Sequence, residues 1–203
     1  MKGWNKILQA NGKRKKAGVA ILTSDKADFK QRKILRDKDG YYIRKKGKFH
    51  QEDVTLMNIY APNTGAPKYI NQTLTDLKGE IDSNTIVGGN LNTTLMSTER
   101  EFRQKVNKET LALNKTLDQM GFLEVYRTFH LRTAEYIFFS SAYGTFSNLD
   151  NMLANKEASL NKFKNVEILS SIFSTYSAMK LEINYHKSWE SIKYVESKQR
   201  ATE

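Results

Sequence analysis

The chain has 203 residues, a formal net charge of +11, 27% charged and 39% hydrophobic residues, and a mean hydropathy of −0.63. These values fit one soluble unit with a sizeable core, and no Pro/Gly/Ser-rich linker divides it. No run approaches the roughly 18 apolar residues of a membrane span. Residues 1–16 are polar and basic without an apolar signal core, and the lack of cysteine excludes disulfides and thiolate metal sites.

The expectation is therefore an intracellular protein, nuclear or cytoplasmic, neither secreted nor inserted in a membrane. His50, His130 and His186 are too few to suggest zinc, so any metal would be a hard cation held by oxygen. The charge is uneven: residues 1–50 hold 16 Lys/Arg against 4 Asp/Glu, and the remainder holds 17 against 18. A basic block on an otherwise neutral chain suits a polyanion, because each neutralised phosphate releases counterions. It equally suits a solvated basic face.

In chain order, Gly18 to Thr23 is a short aliphatic run that reads as a buried strand. Phe29 to Arg36 and residues 41–45 flank Asp37-Lys38-Asp39-Gly40, a strand, turn, strand signal in which Asp-Gly supplies the positive φ of a tight hairpin. With residues 54–60, the first 60 residues read as an antiparallel meander. Pro62 and Pro67 bracket a turn cluster, after which Tyr69, Ile70, Leu74, Leu77 and Ile81 recur at helical spacing. Residues 85–87 form a brief strand that ends in Gly88-Gly89 and delivers Asn90 to a sheet edge. Leu111, Leu113, Leu117 and Met120 mark a second helix stopped by Gly121. Further strands are expected over 122–126, 136–140, 148–153 and 176–183. Strands joined partly by hairpins and partly by helices predict a mixed α/β sandwich. From 185 the pattern loses periodicity and reads as a loosely attached polar tail.

Four segments carry groups suited to chemistry. In Asn58-Ile59-Tyr60-Ala61-Pro62-Asn63, a strand ends in a turn that presents a phenol and an amide, both able to hydrogen-bond a phosphate. The residues alone favour a half-buried aromatic and a turn amide. In Val87-Gly88-Gly89-Asn90-Leu91-Asn92, alternation on an extended chain would put Asn90 and Asn92 on one side, although a polar turn explains them as well. Phe146-Ser147-Asn148-Leu149-Asp150-Asn151 holds a lone acid within an apolar strand, where a carboxylate needs a partner. Residues 173–181 form a loop entering a strand.

In this order and spacing the four segments resemble the endonuclease domain of LINE-type retrotransposons, within the exonuclease-endonuclease-phosphatase family of metal-dependent phosphodiesterases. The likeness runs from about Lys2 to Ile183 and is strongest in Gln9-Ala10-Asn11-Gly12, residues 15–22, residues 58–67 and Arg103-Gln104-Lys105-Val106-Asn107-Lys108. It implies a two-sheet α/β sandwich flanked by helices, over residues 1–184, with residues 185–203 as the tail. It also implies that the chain starts after the family's first strands, which carry an asparagine and the Mg²⁺-binding glutamate. The expected consequences are unpaired edges and a marginal domain.

Position by position, the family's Gly-Asp-Phe-Asn motif falls on Gly89-Asn90-Leu91-Asn92, so the water-activating aspartate is replaced by Asn90. An amide lacks the charge and the proton affinity, and general-base assistance worth roughly 10²- to 10⁴-fold should vanish. Asn92, Tyr60 and Asn63 match phosphate-side residues. The terminal Ser-Asp-His-Ser falls on Ser174-Thr175-Tyr176-Ser177, so Thr175 and Tyr176 replace a metal-side acid and the histidine that stabilises developing charge. Asp150 matches the carboxylate that orients that histidine. Mg²⁺ is the family's cofactor, and this chain is expected not to bind it.

Tyr143, Thr145, Phe146 and Ser147 fall where the family has a hairpin loop that enters DNA, and they also fit an ordinary exposed hairpin. With Lys13, Arg14, Lys15 and Lys16, and the basic stretches 30–36 and 44–48, they make weak, salt-sensitive DNA binding the expected partner interaction. No small-molecule ligand is expected. The sequence thus predicts a catalytically impaired endonuclease-like domain. The rivals are a non-enzymatic nucleic-acid-binding module and a translated retrotransposon remnant without a selected role.

Overall fold

Two sheets and a helical layer make up the computed structural model, which describes residues 6–12, 18–50, 52–93, 95, 107–130, 138–140, 145–147, 150–156, 163–169, 178–185 and 188–196. The first sheet joins β1 (Lys6–Asn11), β2 (Gly18–Thr23), β13 (Ser188–Glu196), β12 (Ala178–Tyr185) and β11 (Phe163–Leu169) in that spatial order, with every neighbour antiparallel. The second joins β3 (Phe29–Arg36), β4 (Tyr42–Phe49), β5 (Glu52–Ile59), β6 (Thr85–Asn90), β10 (Asp150–Asn155) and β7 (Phe122–Glu124). Its β5–β6 pair is parallel, because the chain returns through helix α1 (Ala66–Asp76) instead of a hairpin. β8 (Phe138–Ser140) and β9 (Thr145–Ser147) form a separate antiparallel ribbon.

Alternation along β5 shows how the layers are glued. Val54 and Leu56 face the first sheet, in a core that also holds Val19, Ile21, Val166, Leu181, Ile43 and Met152. Met57 and Ile59 face the other way, toward Ile70 and Leu74 of α1 and toward Leu113 and Leu117 of α2 (Lys108–Gln119). A strand buried on both faces reads as an unbroken apolar run, which is why periodicity alone leaves its faces unassigned. Among the described residues two buried polar ties cross between the sheets, Asn58 Nδ2 donating to the Ala20 carbonyl at 2.8 Å and Lys45 Nζ donating to Thr23 Oγ1 at 2.9 Å, and at the surface Arg36 Nε donates to the Gln9 carbonyl at 3.1 Å. Buried polar groups need such partners.

Several expectations change. The first 60 residues are not one meander, because β2 belongs to the first sheet while β3, β4 and β5 form a meander in the second. The expected strand over 122–126 ends at Glu124, and α3 (Val125–Phe129) follows, since Val125 and Tyr126 bury in the intersheet core from a helix. β1 and β11 were not foreseen. Within the stretch expected to be a loose tail, residues 188–196 form β13, which lies between β2 and β12 rather than at an edge.

Candidate functional site

Four adjacent strands of the second sheet bring one row of residues to the sheet's end. Tyr42 pairs with Ile59 across β4–β5, so Tyr41 falls beside Tyr60, whose amide donates to the Tyr41 carbonyl at 2.7 Å. Asn58 is level with Gly88 across β5–β6, which carries Tyr60 and Ala61 alongside Asn90. The Ala61 amide donates to the Asn90 carbonyl at 2.9 Å. Asn90 in turn stands opposite Asp150 across β6–β10. Positions 41, 60, 90 and 150 thus line up on consecutive strands.

Gly89 makes this closure possible. Its φ is +126°, and a Cβ there would strike Asn58 Oδ1 and the Ile59 carbonyl. No larger residue lets β5 and β6 approach this closely while turning Asn90 inward.

Beyond Asn90 the backbone leaves the strand. Asn92 has a φ of +45°, so the alternation that would put Asn90 and Asn92 on one side stops at Asn90. Hydrogen bonds bring the two amides together instead. Asn90 Oδ1 accepts the Asn92 amide at 2.9 Å, an Asx turn that tolerates the left-handed residue. Asn92 Nδ2 donates to the Ala61 carbonyl at 2.5 Å and to Asn63 Oδ1 at 3.1 Å. Because Asn63 accepts through its oxygen, its Nδ2 hydrogens remain as the donors of an exposed side chain.

The structure therefore brings Tyr60, Asn63, Asn90 and Asn92 together and sets the Asp150 backbone beside them. Thr145, Phe146 and Ser147 lie on β9. Lys13, Arg14, Lys15, Lys16, Tyr143, Thr175 and Tyr176 lie outside the described residues. Sequence reasoning missed Asn58, buried beneath Gly89, and Tyr41, whose ring lies nearly parallel to that of Tyr60 (9°, centroids 6.3 Å apart). Tyr41 also meets Tyr69 of α1, with centroids 5.6 Å apart, and burial pushes the Tyr69 phenol up to about 12. The Asp-Gly hairpin signal pointed at this turn without revealing that its next residue reaches the row.

The described side chains of this row offer a Mg²⁺ ion no anionic oxygen. They are neutral amides and a phenol, whereas a hard dication is held by anionic oxygens, and Asn90 Oδ1 already accepts a backbone hydrogen bond. Among the described residues, no group of three or more His, Asp or Glu side chains is placed to hold a metal.

The basic block also needs correction. Arg44 and Lys45 are buried and so are not available to phosphate, while Arg32, Lys33 and Lys46 pair with Asp53, Glu80 and Asp82 at 3.2, 3.2 and 3.4 Å. Lys30 and Lys48, opposite each other across β3–β4, have no ion pair among the described residues.

Two facing sheets, the outer face of one covered by helices, make a mixed α/β sandwich with a polar row at one sheet end. The sequence matches no family model. Among solved structures the chain is similar to the endonuclease domain of TRAS1, a telomere-specific non-LTR retrotransposon, at 10% identity and a TM-score of 0.57, covering 96% of this chain and 79% of that one. It is also similar to the AP endonuclease LMAP from Leishmania major, at 10% identity and a TM-score of 0.62, covering 97% and 71%. A third, TDP2 of D. rerio complexed with single strand DNA product, matches at 9% identity and a TM-score of 0.56, covering 95% and 76%. At these identities the likeness is one of fold. No helix among the described residues is long and apolar enough to cross a membrane.

Proposed function

We propose that this chain is an endonuclease-like domain of the LINE retrotransposon type that no longer nicks DNA. The observation that carries the proposal is the amide at Asn90. It stands at the end of β6 where the resemblance calls for an aspartate, and its oxygen is held by the Asn92 amide. A neutral carboxamide cannot take a proton from water at ordinary pH, and it adds no charge to a metal site. Thr175 and Tyr176 remove, on the same resemblance, the second acid and the histidine. Incubation with supercoiled plasmid and Mg²⁺ or Mn²⁺ should give no open circles above the protein-free background. Nicking that EDTA abolishes and that Asn92→Ala also removes would overturn the proposal.

A second reading keeps nucleic acid as the partner without chemistry. The net charge of +11 and the Lys30/Lys48 pair favour it, as does the likeness in fold to D. rerio TDP2, a protein seen in complex with single strand DNA product. Phosphate contacts of this kind are sequence-tolerant and weaken with salt.

A further inference from the structure

We infer that Tyr41 is a stacking platform for an unpaired base of single-stranded nucleic acid, set two strands away from Asn90 and beside the exposed Asn63 amide. This rests on the nucleic-acid-binding reading above and adds to it a contact that is not a charge contact.

The placement comes from register. Tyr41 continues the row through Tyr60 and Asn90 by one strand, so it lies about 10 Å from Asn90 by the usual strand spacing. A phosphate bonded to the Asn63 amide would carry its neighbouring base into that region. Asn63 is exposed, and its carboxamide is oriented by Asn92 Nδ2 at 3.1 Å, with its donors left for a ligand oxygen.

The ring itself is held before any ligand arrives. The Tyr41 amide donates to Asp37 Oδ2 at 2.9 Å, and its carbonyl accepts the Tyr60 amide at 2.7 Å, so the backbone is fixed on both sides. Tyr60 lies parallel behind the ring and Tyr69 meets it at 54° from the helical layer. Tyr60 is only 8% exposed and serves as backing, while Tyr41 is partly buried and keeps surface for a partner. A preorganised aromatic costs little side-chain entropy when it binds. The Asp37 carboxylate is engaged with the Tyr41 backbone amide, and a neutral base stacks without needing a cation. Bases in a duplex already stack on one another, so a single strand is the form that offers a free face.

Fluorescence anisotropy tests this with a labelled twelve-residue oligothymidylate and an abasic strand of equal length, each titrated at low and moderate salt. The unaltered chain should bind the base-bearing strand more tightly than the abasic one. Tyr41→Leu, which keeps apolar bulk without a ring, should lose about 5- to 150-fold in affinity for oligothymidylate while keeping the salt slope. Tyr41→Phe should bind as the unaltered chain does. Equal binding of the two strands by the unaltered chain would overturn the platform while leaving the charge-based reading intact, and this comparison stands even if a variant fails to fold. Binding of neither strand at low salt would overturn both.

Discussion

Arg44 and Lys45 are neighbours on β4 that point into opposite layers, and each is almost wholly buried, at 2% and 3% exposure. Lys45 is accommodated between the sheets, donating to Thr23 and lying 4.5 Å over the Phe29 ring, a cation–π contact. Arg44 is less well served. Its Nη1 sits 2.5 Å from Glu80 Oε2, yet neither Nη1 nor Nη2 makes a hydrogen bond of good geometry among the described residues. Glu80 reaches Arg44 from the surface, so removing its charge strands the buried guanidinium, whereas replacing that guanidinium by an apolar side chain of similar size is often neutral or stabilising. Glu80→Gln should therefore lower the melting temperature, Arg44→Met should not, and the Glu80→Gln effect should shrink in the Arg44→Met background. Melting curves of the four proteins check this double-mutant cycle.

The Arg44 guanidinium, with Lys33 beside it, holds the Glu80 carboxyl below the usual range. A depressed folded-state pKa contributes stability above the unfolded carboxyl value, and the contribution is lost as pH falls through the folded one. The Arg44→Met chain should accordingly lose less stability on acidification than the parent.

Glycine carries a second consequence at this scale. Gly89→Ala forces a Cβ into Asn58 and Ile59 at a φ of +126°, and should cost about 3 kcal/mol or more. Urea denaturation reads that loss, and an unchanged midpoint would refute the role given to Gly89. The sequence showed Gly88-Gly89 as a turn and Asn90 as an arriving side chain. It did not show Asn58 underneath, because a contact between β2, β5 and β6 has no local signature.

Among the elements, β2 and β3 follow the sequence boundaries because aliphatic runs between turn residues leave little freedom. Helices α1 and α2 were also legible, although α1 ends at Asp76, short of the Leu77 and Ile81 that the helical spacing includes: Pro67 sits in the first turn of the one, Asn107 caps the other by accepting the Glu109 amide, and Gly121 at φ +70° follows its end. The strands β1, β11 and β13 were not legible. KILQAN, FKNVEIL and SWESIKYVE lack clean two-residue alternation, and their stability comes from neighbours distant in sequence. β13 is the most consequential of them, since it bonds to β2 on one side and β12 on the other. Its loss would expose two strand edges and cut the first sheet in two. A chain ending at residue 187 should lose its cooperative thermal transition and aggregate, as scanning calorimetry and light scattering would show. A sharp monomeric transition in that shortened chain would mean that β13 is dispensable.

At the scale of the whole molecule, the charge surplus of the first 50 residues is smaller in effect than in count. Three acids, Asp53, Glu80 and Asp82, neutralise cations of β3 and β4, and two more cations are buried. Nucleic-acid affinity should fall with salt along a shallow slope, on the order of a few phosphate contacts, rather than the steep one the raw count implies. A plot of log affinity against log salt measures it, and a flat line would exclude phosphate binding. The order of strand and helix signals already suggested a mixed α/β sandwich and the resemblance made it specific, while the pairing of charges needed the folded chain.

The central position of β13 also sets a timetable. The strand that closes against β2 leaves the ribosome about 165 residues after it. At roughly 5–20 residues per second that is a wait of about 10–30 s. For that interval the β1–β2 hairpin carries an open edge with its apolar side uncovered, while β3, β4 and β5 can already assemble. The first sheet therefore cannot close until β13 has been made, and until then the β2 edge stays open to pairing with another chain.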